Sequence, residues 1–258
     1  MYKMVVSDFY NALIDYEEAI PLSTMLEIDK IRRKGILFSI VTGKSPMLVV
    51  DYNKDFPFVD FVIGFNGNYI YDVVNDKVLY DKVLGVSIVK KIYKNFKNND
   101  ICFYTLRECN YIGNYKDIDF SEAINDFNSF IDVNKQKIYK IKICVETRKK
   151  AISIVEDIKS FDMKVNTYIN EVDNKYFIEI YSSSSNKLLG VEKVCKLRKI
   201  KLAEVVGIGV GEESVLLIEN VGYGCCLSNA CEELKKVSKF IGPSNNEKGV
   251  EQIIKKVF

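Results

Sequence analysis

Four stretches of the chain carry side chains whose types and placement could do chemistry. "MVVSDFYNALID" (4–15) is an apolar run that delivers Asp8 into a turn, where a carboxylate just past a buried strand end is left free. "ILFSIVTGKS" (36–45) delivers Thr42 and Gly43 in the same manner, "SSSSNKLLG" carries Lys187, and "GIGVGEES" (207–214) brings glycines together with Glu212, Glu213 and Ser214. Two residues after Asp8, where a second acid would complete a carboxylate pair, the chain has Tyr10. Histidine is absent (count 0), which removes His-based zinc sites, Ser-His and Cys-His triads and imidazole acid–base chemistry together. Seven cysteines, with no C-x-x-C pair, sit mostly among apolar residues, as in "KIKICVET", and read as buried reduced thiols. Any catalysis must therefore rest on carboxylates, Lys, Tyr, Ser/Thr or backbone dipoles.

Such residues need a scaffold that brings distant positions to one edge. "YKMVVSD" is a short apolar run ending in a polar turn, the pattern of a buried parallel strand. "PLSTMLEIDKIRRKG" opens with Pro-x-Ser/Thr, places Met25, Leu26, Ile28 and Ile31 at helical spacing and stops at Gly35. "ILFSIVTGKS" is a second buried strand, and "FVDFVIGFNGNYIYD" a third that runs into a hairpin with "KVLYD". A strand–helix–strand unit whose strands open into polar loops at one end predicts a doubly wound, Rossmann-like α/β core. From 83 to 182 the pattern changes: helix "VSIVKKIYKNFKN", strands "DICFYTLREC" and "NYIGNY", helix "FSEAINDFNSFID", strand "KIYKIKICVE", helix "TRKKAISIVEDIKSF", and the hairpin "MKVNTYINE"/"KYFIEIYSS". Alternation in these strands predicts a sheet with one wet face, hence a separate α+β domain. The serine run at 182–186 reads as the link back. Helix "KLLGVEKVCKLRKI", strand "AEVVGIGVG", a short helix at 212–220, "YGCCLS", helix "ACEELKKVS" and a terminal helix then complete an α/β core. The expected division is 1–82 with 183–258 as core, and 83–182 inserted as a cap.

Composition narrows the partners. The 258 residues include 48% hydrophobic and 28% charged, values of a globular chain with room for a sizeable core. Thirty-seven basic against 35 acidic residues leave +2, which gives no bulk attraction to nucleic acid or an anionic membrane. No apolar run reaches about 18 residues and the N-terminus lacks a charged-then-apolar signal, so a cytoplasmic location is expected.

In order and spacing, these pieces resemble the haloacid dehalogenase (HAD) superfamily, and within it the Cof-type sugar-phosphate phosphatases, which carry a large α/β cap. "SDFYNALID" is similar to the family's D-x-D-G-T-L opening, "FVIGFNGNYIYD" to its Asn-Gly segment, and "IEIYSSSSNKLLGVEKV" to the segment with its third-motif lysine. "IPLSTMLEIDKIRRKGILFSIVTGKS" and "GYGCCLSNACEELKKVSKFIGPSNNEKGVEQII" follow the family almost position by position. The resemblance implies a HAD-like doubly wound parallel-sheet core with an inserted α+β cap. It also implies hydrolysis of phosphorylated small molecules, because the family's first Asp attacks phosphorus, its second protonates the leaving group, a Ser/Thr and a Lys hold phosphoryl oxygens, and acids in a G-D-x-x-N-D loop hold Mg²⁺.

Carried over residue by residue, Asp8 falls at the nucleophile, Thr42 with Gly43 and Lys187 at the phosphate-binding positions, and Asn66 and Gly67 on the substrate side. Each has an ordinary alternative: a turn Asp, a helix start, one solvated lysine among 37 basic residues, and a plain Asn-Gly hairpin turn. The departures fall where the chemistry is. Tyr10 takes the general-acid place, Val210 and Ser214 take the places of the metal acids, and Glu213 replaces the asparagine and is a possible substitute metal ligand beside Asp8. Val210 offers no side-chain oxygen to Mg²⁺, and a phenol with a pKa near 10 is a poor acid. The expected reading is a degenerate active site that binds a phosphorylated small molecule or a partner, with no cofactor. The alternative is an active Mg²⁺-dependent phosphatase with an altered metal site, using Asp8 as nucleophile, Glu212 or Glu213 for metal and Tyr10 as acid.

Overall fold

The computed structural model describes residues 1–14, 19–55, 57–114, 121–134 and 137–258. Asp15, Tyr115 and Phe120, which belong to stretches read above, lie outside them. The chain divides into two compact units, Met1–Asp81 with Asn186–Phe258, and Lys82–Ser185.

The first unit begins with β1 (Met4–Asp8), α1 (Leu22–Arg33), β2 (Leu37–Val41), α2 (Pro46–Asp55), β3 (Phe61–Gly64), β4 (Tyr69–Asp72) and β5 (Lys77–Asp81). Helix α2 was not assigned from the sequence, which offered only a helix start near Thr42 as the alternative to a phosphate-binding loop. Its start was legible: the Ser45 hydroxyl accepts the Met47 N–H, and Pro46 sits at the first helical position, where its missing N–H costs nothing.

The second unit is α3 (Val86–Phe96), β6 (Asp100–Tyr104), β7 (Cys109–Ile112), β8 (Ser121–Ala123), α4 (Phe127–Asn134), β9 (Lys140–Val145), α5 (Arg148–Ser160), β10 (Val165–Val172) and β11 (Lys175–Ser182). Its sheet runs β10-β11-β9-β6-β7-β8. The helix expected to begin near residue 120 is shorter than that: 121–123 pair with β7 as a strand, and α4 starts only after Asp126, whose side chain accepts the Asn128 N–H. Ile101, Phe103, Ile141, Ile143, Ile178 and Ile180 pack with Val89, Ile92 and Ile154 of the helices in one cluster. The opposite face of this sheet is wet only in part: Asn170 is exposed and Lys142 half-buried, but its centre is closed. Lys140 is 3% exposed and pairs with Glu179 at 3.0 Å, its ammonium lies 4.4 Å from the Tyr104 ring, and the Tyr181 hydroxyl donates to Glu179 at 2.6 Å. Burial alone would push the Glu179 carboxyl up, but the Lys140 charge, the Tyr181 hydrogen bond and Lys142 hold it below the usual carboxylate range.

The chain then returns to the first unit with α6 (Lys187–Arg198), β12 (Val205–Gly209), α7 (Val215–Asn220), β13 (Tyr223–Leu227), α8 (Glu232–Val237), β14 (Phe240–Gly242) and α9 (Gly249–Val257). Its sheet has the order β14-β13-β12-β1-β2-β3-β4-β5, with β1 in the middle. All pairings from β14 to β3 are parallel, and β4 and β5 add antiparallel strands at one edge. Alternation sorts β1 between two cores. Val5 packs in a cluster with Ile28 and Ile31 of α1 and Ile253 and Ile254 of α9, whereas Met4 and Val6 pack with Val191 and Val194 of α6 and Leu217 of α7. This is an α/β, doubly wound core with an inserted α+β unit, as the element order predicted. No helix among the described residues is long and apolar enough to cross a membrane.

Candidate active site

Strand β1 is flanked by β2 on one side and β12 on the other, so the chain winds away from it in both directions. In open parallel sheets such a switch point leaves a crevice beyond the carboxyl ends of the strands, and Asp8 is the last residue of β1. Period two puts Asp8 on the same side as Met4 and Val6, the side that packs on α6. On α6, Lys187, Val191 and Val194 follow at i, i+4 and i+7 and are all buried. The two alternations together aim Lys187 at Asp8.

The contact is short and enclosed. Lys187 Nζ lies 2.5 Å from Asp8 Oδ1, with the two side chains 2% and 5% exposed. Lys187 has three ammonium protons, and three acceptors take them: Asp8 Oδ1, Glu213 Oε1 at 3.0 Å and Ser214 Oγ at 2.8 Å. Ser214 passes its own proton to Asp8 Oδ2 at 2.7 Å, and the Val210 N–H donates to the same oxygen at 3.0 Å. Asp8, Ser214 and Lys187 thus close a ring of hydrogen bonds. Burial alone would lower the Lys187 pKa, but the charges of Asp8 and then Glu213, with their hydrogen bonds, hold it above the usual lysine value. The Asn186 side chain accepts the Leu189 N–H at 2.7 Å and caps the helix that presents this lysine.

The turn after β3 seats that helix. A Cβ on Gly67 would lie 2.4 Å from the Asn186 carbonyl oxygen, and one on Gly190 would lie 2.6 Å from Ile63 and 2.9 Å from the Gly67 Cα. Gly67 has φ +95°, and Phe65 and Asn66 before it are also left-handed, at +49° and +52°. Asn66 donates its N–H to the Thr42 carbonyl and Phe65 to that of Lys44, which fixes the turn to the loop after β2. Asn66 and Gly67 are a turn between antiparallel strands that also carries the N-terminus of α6; sequence spacing alone showed only the turn.

Thr42 follows Val41, the register partner of Asp8, and is buried; its hydroxyl accepts the Lys44 N–H at 3.1 Å. Gly43 follows in the same loop, half-buried. Tyr10 packs edge-on to Phe9 and against the α1-side core, with the Lys44 ammonium 3.7 Å from the centre of its ring. The structure therefore brings Asp8, Lys187, Glu213, Ser214 and the Val210 backbone into one cluster, places Thr42 next to it, and turns the Tyr10 ring toward Lys44. The sequence reading did not anticipate the Val210 N–H as an Asp8 donor or Lys44 as the partner of Tyr10.

A magnesium ion does not fit this donor set. Mg²⁺ demands near-octahedral oxygen ligands. Here Asp8 already accepts three hydrogen bonds, position 210 presents an N–H rather than an oxygen, and the hydroxyl at 214 donates toward Asp8. No group of three or more His, Cys, Asp or Glu able to hold a metal gathers among the described residues.

A doubly wound core with an inserted α+β unit, and an Asp and a Lys meeting at its switch point, define a HAD-type protein. The sequence pattern of the haloacid dehalogenase-like hydrolase family matches residues 5–254, and the chain belongs to that superfamily, in its Cof-type branch. Among its relatives is "Putative phosphatase YkrA" of Bacillus subtilis (strain 168), 23% identical over 268 residues, covering 99% of this chain and 97% of the relative. A haloacid dehalogenase-like hydrolase structure from B. subtilis superposes with a TM-score of 0.87 at 16% identity, covering 99% of this chain and all (100%) of that one. A HAD subclass IIB sugar phosphatase superposes with a TM-score of 0.79 at 18% identity, covering 98% of each chain.

Proposed function

We propose that this chain keeps the HAD scaffold to bind a phosphorylated small molecule without hydrolysing it. The observation that carries this reading lies at Asp8 Oδ2, where Ser214 Oγ and the Val210 N–H donate from the two positions at which the resemblance places metal-holding acids. Asp8 stands at the nucleophile position with three of its four lone-pair sites engaged. Tyr10, at the general-acid position, has its ring against Phe9 and Lys44. What remains suits an oxyanion: the buried Lys187 ammonium, the Thr42 hydroxyl and the Gly43 loop next to it, and Lys44 on the surface beside them. The names of the relatives support a phosphorylated ligand class.

The test is an aryl phosphate, whose good leaving group hardly needs a general acid, assayed with and without millimolar Mg²⁺. Loss of the metal and of the acid each removes a factor of about a hundred or more, so turnover at background is expected. Phosphate should nonetheless bind in a calorimeter. Mg²⁺-dependent turnover that vanishes in Asp8→Asn would instead establish an active phosphatase.

A further inference from the structure

The third proton of Lys187 goes to Glu213, and Glu213 differs from the other two partners. Asp8 is 5% exposed in its side chain and Ser214 is fully buried, whereas the Glu213 side chain is 29% exposed. Asp8 and Ser214 are also tied to one another, at 2.7 Å, and to the Val210 backbone. Glu213 is thus the one Lys187 acceptor that can leave toward solvent without breaking the ring around Asp8.

A second feature shows how Glu213 is held. Its carboxylate folds back across Gly211, where a Cβ would lie 2.3 Å from Oε2 and 2.7 Å from Cδ. Gly211 has φ −95° and ψ 162°, an extended conformation that any residue adopts, so its backbone does not require glycine. What the missing Cβ provides is space for the carboxylate of Glu213.

We infer that Glu213 is an internal stand-in for the ligand's oxyanion, a carboxylate gate that occupies Lys187 until a phosphoryl oxygen displaces it. The inference rests on the reading of this site as a phosphate-binding one. With the gate closed, Asp8, Glu213 and Lys187 sum to −1, which repels an anion. With Glu213 turned out to water, Asp8 and Lys187 balance and one ammonium proton faces the ligand. The exchange is one hydrogen-bond acceptor for another on the same N–H, so no covalent bond is made or broken and no proton is transferred.

Isothermal titration with inorganic phosphate tests the gate on three proteins: the native chain, Glu213→Gln and Gly211→Ala. Glu213→Gln removes the competing charge at constant shape. Gly211→Ala evicts the carboxylate sterically without replacing a charged group or asking for a strained backbone. Both variants should bind phosphate at least about tenfold more tightly than the native chain, a shift of about 1.4 kcal/mol. Equal affinity in all three proteins overturns the gate and leaves phosphate binding standing. Weaker binding by the variants also overturns it, because Glu213 would then be part of the ligand's cradle. Phosphate binding by none of the three overturns the binding function itself, and the gate with it.

Discussion

Replacing Lys187 by methionine keeps an unbranched apolar stem, one atom shorter, and deletes the charge. Asp8 is then left 5% exposed, holding hydrogen bonds from Val210 and Ser214 but no counter-charge. Breaking a buried pair from one side typically costs about 3–5 kcal/mol, because the desolvation of the surviving ion is no longer offset. For a chain of this size about 1 kcal/mol moves the melting midpoint by about 2–4 °C, so a fall of roughly 6–20 °C is expected. The chain has two units, and scanning calorimetry is the appropriate assay because it separates transitions: the one belonging to the first unit should move and the other should not. Asp8→Asn should cost less, since Lys187 keeps Glu213 at 3.0 Å. The double variant Asp8→Asn/Lys187→Met should recover part of the loss, because no charge is stranded. The pH dependence has a definite sign. The Lys187 pKa is raised in the fold, so its contribution is fully present below the usual lysine value of 10.5 and is lost only as pH rises through the higher folded value. The gap between native and Lys187→Met should therefore stay constant through neutral pH and narrow only in strong alkali. A Lys187→Met protein within about 1 kcal/mol of native, or a double variant less stable than the sum of the singles, would refute this account of the cluster.

Other outcomes follow from the same geometry. Melts with and without millimolar Mg²⁺ should superimpose for the native chain, whereas the triple variant Tyr10→Asp, Val210→Asp, Ser214→Asp should show a Mg²⁺-dependent rise in midpoint and lower stability in chelator; a triple variant indifferent to Mg²⁺ would mean the loops do not hold a metal geometry. Gly67→Ala should destabilise by about 2 kcal/mol or more in a denaturant titration, since it combines φ +95° with a Cβ 2.4 Å from the Asn186 carbonyl; an unchanged midpoint would count against the seating of α6. Glu179→Gln should cost about 3 kcal/mol at neutral pH by stranding Lys140. Because the Glu179 pKa is lowered in the fold, that difference should persist above the reference value of 4.5 and shrink as pH falls through the folded value.

The order of elements in the core was legible because its strands are continuous apolar runs that end in polar loops, and a period of two or 3.6 survives in one sequence. Asp8, Thr42 and Lys187 were legible for the same reason, standing at the end of such a run, one step past one and at a helix start. The segment around 121–134 misled because three residues of strand and a helix beginning at Phe127 share an apolar spacing that a single helix also satisfies. Lys140 and Glu179 looked like the polar half of an alternating pattern. They sit on different strands, 39 residues apart, and only the packing of β9 on β11 makes them a buried pair. Glu213 and Ser214 as acceptors of Lys187 were not visible, because they lie 26 and 27 residues beyond it, and the seating of α6 that presents the lysine rests on the close approach of Gly67 and Gly190.

The position of β1 also bears on how the chain emerges from a ribosome. Its register partners on one side, Leu37 to Val41, follow at once, but those on the other side begin at Val205, and Lys187 lies 179 residues beyond Asp8. At about 5–20 residues per second that separation takes about 10–35 s to synthesise. The inserted unit is contiguous, from Lys82 to Ser185, and has its own apolar cluster, so it can close during this interval. Throughout it, the strand destined for the centre of the sheet presents a bare apolar edge ending in an uncompensated carboxylate. Asp8 therefore meets the ammonium it pairs with only once Lys187 has been translated.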